Sequence, residues 1–292
     1  MSNIPSRFVV RTIYAAELQT AKSLQIPYPV RANTTLNQKL DIQANAVPDV
    51  GTTHAMKYLA IGNGGHRLAV GSDGFAYTAP IPHSPGDSAL YNQIPWVLRL
   101  ESQDLPAASR ANYALRKAIV MPDGERYFAY YLKRLSHTDV TTQLYMTTIR
   151  DGETTTVPYV PNNSNLNPTP PEIPADGDVP ALEQGDYLTA KAMVRITLTP
   201  ADVNELINVA TVLYQDQNYA IISEFALCQG IDKTVTAEGA GGATINFTES
   251  INTQVAAHIS TYHSLVFANN GLEFTVDVGA NEGLLIDVNQ SL

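Results

Sequence analysis

Three Asp-Gly pairs, each set between strand-like runs, constrain this chain more than any other feature of its sequence. Asp73-Gly74 separates 67–71 from 75–78, Asp123-Gly124 separates 117–121 from 125–132, and Asp151-Gly152 separates 144–149 from 154–157. Glycine accepts the positive φ of a tight hairpin turn without a Cβ clash, and aspartate tolerates it better than most residues. The flanking runs are rich in β-branched and aromatic side chains, which fit a pleated, half-buried surface. Repeated over residues 58–160, the pattern predicts a mainly β fold with minor α (α+β), built of antiparallel sheets or sandwich-like layers.

Helix signals are few. Residues 11–25 have the composition of a short helix, which Pro27 and Pro29 stop. The clearest helix spans 200–214: Thr199 is a good N-cap, Pro200 sits where its missing N–H costs nothing, and Val203, Leu206, Ile207, Ala210 and Leu213 form one stripe. Further strands are predicted at 190–198, 219–228, 243–248, 254–267, 272–278 and 284–288. Between Pro27 and Thr53 the chain is polar and reads as an extended arm or irregular segment. Residues 158–180 hold seven prolines, which rules out a central strand or an unbroken helix and predicts a long loop or linker. The predicted organisation is a helix and arm over 1–57, a hairpin-rich domain over 58–157, the proline-rich loop over 158–180, and an acidic β-rich domain with one helix over 181–292.

With 292 residues the chain can bury about three quarters of the surface its unfolded form exposes, so size alone demands no disulfide or metal. Cys228 is the sole cysteine. The first ten residues lack a signal-peptide layout, and no apolar run approaches the roughly 18 residues of a membrane span. Charge is divided: residues 1–150 hold 15 Lys/Arg against 10 Asp/Glu, and residues 151–292 hold 3 against 18. A surface tracking nucleic-acid backbone is excluded from the second half. Opposite halves suit contact with copies or partners, or simply mark two domains of different composition.

Motifs for chemistry fail on inspection. Gly62-Asn63-Gly64-Gly65-His66 has Arg67 where a dinucleotide loop wants glycine, and a strand follows where a helix is needed, so it reads as a tight turn. Cys228 lies in an apolar strand, where an inert buried thiol is the common case. His258 and His263 are five apart, on opposite faces of a regular strand. Asp176-Gly177-Asp178 reads as a solvated turn. Tyr127, Tyr130 and Tyr131 belong to a tyrosine-heavy composition that either is ordinary for strands or favours interfaces. No catalytic, cofactor-binding or metal-ligating residue is nominated, and no cofactor is expected.

Two stretches carry a resemblance: Tyr219-Ala-Ile-Ile-Ser-Glu-Phe-Ala-Leu-Cys-Gln-Gly-Ile-Asp232, after the helix opening at Thr199, and Glu249-Ser-Ile-Asn-Thr-Gln-Val-Ala-Ala-His-Ile-Ser-Thr-Tyr262. Together they are similar to virion structural proteins of large tailed bacteriophages; Gly62–Gly65 and His83-Ser-Pro-Gly-Asp87 resemble the same group less specifically. The resemblance implies a non-enzymatic subunit of the tail, baseplate or neck. Such a subunit packs with other virion proteins and with copies of itself, and is assembled in the host cytoplasm. No small-molecule substrate, direct nucleic-acid contact or membrane is expected. A capsid or head-surface protein and a carbohydrate- or receptor-binding β module are the alternatives.

Overall fold

A computed structural model describes residues 8–71, 74–150, 153–166, 187–267 and 271–283. In chain order the elements are β1 (Phe8–Arg11), α1 (Ile13–Leu24), α2 (Leu36–Leu40), β2 (Ala55–Gly62), β3 (His66–Val70) and β4 (Ala76–Pro80). Then come β5 (Gln93–Ile94), β6 (Val97–Leu100), α3 (Ala107–Arg110), β7 (Tyr113–Val120), β8 (Arg126–Arg134), β9 (Thr142–Arg150) and β10 (Glu153–Pro158). The series closes with β11 (Tyr187–Leu198), α4 (Pro200–Tyr214), β12 (Ile221–Glu238), β13 (Thr244–Ser264) and β14 (Leu272–Gly283). The fold is mainly β with minor α, and every described register is antiparallel.

The strands that flank the three Asp-Gly pairs are antiparallel neighbours: β3 with β4, β7 with β8 and β9 with β10. At the second turn Gly124 takes φ +87°, its N–H donates to the Met121 carbonyl, and the Asp123 carboxylate accepts from the Glu125 N–H. The helix α4 begins at Pro200, and Thr199 and Asp202 cap each other: each side chain accepts from the other's backbone N–H, at 3.2 and 2.8 Å. Its apolar stripe is buried at Val203, Leu206, Val209 and Ala210, and Val209 packs on Leu98 of β6.

The chain forms two compact units, residues 1–136 with 198–272 and residues 137–197 with 273–292. The divide expected at 158–180 is therefore corrected. Two pairings explain the change. Strand β2 pairs with β12, far along the chain, so the predicted hairpin-rich and acidic domains share one sheet. The hairpin β9–β10 pairs with β11 instead. Sorted by unit, the charges become 15 Lys/Arg against 16 Asp/Glu in the first and 3 against 12 in the second, so the acidity belongs to the second unit.

In the first unit the main sheet runs β1-β13-β12-β2-β8-β6, with β5 on β2 and β7 on β8. The predicted strands 243–248 and 254–267 are one element, β13, whose register against β12 shifts between Gln229 and Ile231 near Asn252, at φ +50°. Asparagine tolerates this left-handed conformation better than most residues. The polar stretch after Pro27, read as an extended arm or irregular segment, holds the short helix α2 and lies against its own chain. Leu36 is fully buried in the core with Tyr58, Leu115 and Val255, and Asn37 donates from Nδ2 to Ser250 O at 2.8 Å. The second unit is the sheet β10-β9-β11-β14, which buries Val194, Ile196, Phe274 and Val276 on one face. Residues 167–180 of the proline-rich stretch, and the strand predicted at 284–288, lie outside the described residues.

Candidate functional site

Glutamate is among the residues least often buried without a partner, yet Glu224 sits inside the apolar run of β12 with no exposed side-chain surface. Its carboxylate is fully engaged. Oε1 accepts from the N–H groups of Gly64 and Asn92 at 3.0 and 3.3 Å, and Oε2 accepts from Tyr91 N–H at 2.8 Å and faces His83 Nε2 at 2.9 Å. Two of the glycines of 62–65 make room for this contact. A Cβ on Gly65 would lie 2.3 Å from Glu224 Cγ, and one on Gly62 would lie 2.7 Å from Glu224 Oε1. The segment does cradle an anion, but the anion is the protein's own carboxylate.

His83 is held on every side. Its Nδ1 faces Asp87 Oδ2 at 3.1 Å, so both ring nitrogens meet carboxylates. The ring stacks between Tyr91 and His258, at centroid distances of 4.2 and 3.9 Å. His258 Nε2 lies 3.1 Å from the Asp87 carbonyl. Burial raises the Glu224 pKa, but hydrogen bonds from His83 and the Tyr91 and Asn92 amides outweigh it and hold the group below the usual carboxylate range. Burial, reinforced by neighbouring His83, pushes His258 down to about 4.

Histidine between two carboxylates is a familiar acid–base arrangement, but here the His83 side chain is 1% exposed and Glu224 0%. No reacting group meets them without the loop 81–92 leaving. What the cluster does chemically is fasten: it ties that loop and the glycine turn to β12 and β13. The two stretches that carry the sequence resemblance are these adjacent strands.

Two accessible candidates in the first unit are apolar. The hairpin β3–β4 forms a two-stranded sheet of its own, with Leu68, Val70 and Phe75 exposed by 74, 69 and 74%. A recess of about 310 Å³ lies between α1 and the 48–54 segment, lined by Leu18, Ile26, Pro27, Tyr28, Pro48 and Ile231 among others. Leu24, Ile26, Val47 and Val50, which are in or next to these segments, are exposed.

The other residues singled out from sequence have settled positions. Cys228 is wholly buried, with Sγ 3.4 Å from the Ala226 carbonyl and its thiol pKa pushed up by burial. Tyr130 is core: its hydroxyl binds Asp104 and accepts from Arg116 Nε at 3.1 Å, which removes it from any interface. His258 joins the Glu224 cluster, whereas His263 Nε2 faces Thr261 Oγ1 at 3.0 Å. Among the described residues no three His, Cys, Asp or Glu are placed to hold a metal, and no helix is long and apolar enough to cross a membrane. Asp176-Gly177-Asp178 lies outside the described residues. Sequence reasoning missed the Glu224 cluster, although an acid inside an otherwise apolar strand signals a buried partner.

A profile for a family of unknown function matches residues 1–291. No curated protein and no solved structure matches the chain.

Proposed function

The chain belongs to that family, DUF7208, and we propose that it is a non-enzymatic structural subunit of a tailed-phage virion. In this reading it packs in multiple copies in the tail, baseplate or neck, against itself and other virion proteins. The observation that carries the reading is the hairpin β3–β4 with Leu68, Val70 and Phe75 in solvent. The hairpin touches its own chain at β13, where the His66 ring meets Tyr262, and each large apolar side chain it leaves in solvent gains about 1.5–3 kcal/mol when buried. A neighbouring chain covering the hairpin supplies that burial. The sequence resemblance of β12 and β13 supplies the virion context, and the fastened 81–92 loop gives a stiff body on which to mount the contact.

Mass spectrometry of purified particles is expected to find the chain in stoichiometric amount, and its absence overturns the proposal. Replacing Leu68, Val70 and Phe75 together by serine is expected to leave the circular-dichroism spectrum unchanged while abolishing incorporation. Undiminished incorporation of that variant removes the hairpin from the reading.

A further inference from the structure

We infer that the open face of the second unit's sheet is a binding groove for a neutral saccharide. Side chains two apart on a strand share a face. On β9 and β11, Tyr187 stands opposite Thr147 and Tyr145 opposite Thr189, so the two rings are diagonal neighbours on one face. With Thr189, Lys191, Asp277 and Asn281 they line a groove of about 350 Å³. Gly279 keeps it open. It supplies no side chain between Asp277 and Asn281, and a Cβ there would stand 2.1 Å from the Ala190 carbonyl oxygen. The opposite face of this sheet carries the buried Val194, Ile196, Phe274 and Val276, so the polar lining is a property of one face alone.

The lining selects the ligand. The tyrosine rings, both partly exposed, offer flat apolar surface with a polar tip, which suits the C–H face of a pyranose. Thr189 Oγ1 donates to Asn281 Oδ1 at 2.9 Å, which leaves the Asn281 amide nitrogen as a donor toward the groove. Lys191 Nζ lies 4.5 Å from the Tyr145 ring centroid and 3.4 Å from Asp277 Oδ2. Donors and an acceptor thus sit side by side, as hydroxyl groups, which both donate and accept, require. One cation beside one anion makes the groove neutral, inside a unit whose Asp and Glu outnumber Lys and Arg 12 to 3. A neutral lining offers phosphate and carboxylate ligands no net attraction. A volume at the small end of ligand sites suits a mono- or disaccharide unit of a longer chain. A protein partner is disfavoured, because the cores of protein interfaces are depleted of charge.

The test presents the full chain to an array of neutral oligosaccharides of glucose, galactose, mannose and N-acetylglucosamine, with sialylated and phosphorylated glycans alongside. The strongest neutral saccharide is then titrated by calorimetry. Binding to a neutral saccharide is expected, weakened about tenfold by Tyr145→Ala and by Asn281→Ala, and kept within about threefold by Tyr145→Phe, which preserves the ring. Leu68→Ser, in the other unit, is expected to bind as the parent does. Failure of every neutral saccharide to bind the natively folded chain overturns the inference, as does preference for anionic glycans. Unchanged affinity in Tyr145→Ala and Asn281→Ala together also overturns it. Should Tyr145→Ala unfold, Asn281→Ala and Thr189→Val on the same face decide the matter by the same reading.

Discussion

His83 Nε2 and Glu224 Oε2 lie 2.9 Å apart with neither side chain reaching solvent. Two residues 141 positions apart in sequence thereby join an irregular loop to a central strand through a charge-assisted hydrogen bond. Removing one partner leaves the other buried without compensation, which typically costs about 3–5 kcal/mol. Glu224→Gln also turns a donor toward the N–H groups that the carboxylate accepts. Urea unfolding is expected to show that loss in the midpoint with an unchanged slope.

The glycine turn gives a sharper contrast. Gly65→Ala drives a methyl to within 2.3 Å of Glu224 Cγ, whereas a Cβ on Gly86 meets nothing within 4 Å. Gly65→Ala is expected to cost about 1–3 kcal/mol, and Gly86→Ala to stay within about 0.5 kcal/mol. Melting temperatures of the two variants check the pair. Equal shifts in both would deny the cradle.

Acid should open the cluster. His258 is held at about 4 against an ordinary 6.5, so below 6.5 the unfolded chain takes up a proton that the folded chain refuses, and stability falls as pH drops toward 4. The Asp87 and Glu224 values are lowered from 3.8 and 4.5. Their contribution is present above those ordinary values and is lost as pH falls further. The His258 share is bounded at about 3 kcal/mol. Denaturant midpoints measured across this range are expected to decline, and His258→Gln is expected to make the part above pH 4 shallower, leaving the share of His54 and His66, which burial also lowers.

Cys228 lies in the sheet interior with its thiolate disfavoured by burial. A thiol-reactive dye at mildly alkaline pH is expected to label the chain only after denaturant is added. Rapid labelling of the native chain would show that β12 is accessible between its neighbours.

Local chemistry made much of the fold legible. Thr199 and Pro200 announced α4 to the residue because an N-cap and a proline at the first helical position are both local signals. The Asp-Gly turns announced hairpins because both strands flank them. What stayed hidden depends on distant pairing. Nothing near Ala55–Gly62 says that this strand lies against β12, and nothing near Gly65 says that its missing side chain makes room for Glu224. The polar composition after Pro27 pointed to an extended arm or irregular segment, but Leu36 and Ile42 in the core and the amide of Asn37 anchor it. Tyr130 was ambiguous for a related reason. A tyrosine hydroxyl is as well served by a buried Asp104 and Arg116 as by a rim of solvent, and composition does not distinguish them.

The division into discontinuous units carries a consequence for biogenesis. Strand β14 completes the second unit's sheet but is synthesised only after β12 and β13 of the first unit. Neither unit can therefore close on the ribosome in vectorial order. Nascent chains released early hold β9, β10 and β11 without their last neighbour, an open template for mispairing. Such non-local ordering slows the search for the native state and makes the interval just after translation the stage at which this molecule is most exposed to aggregation.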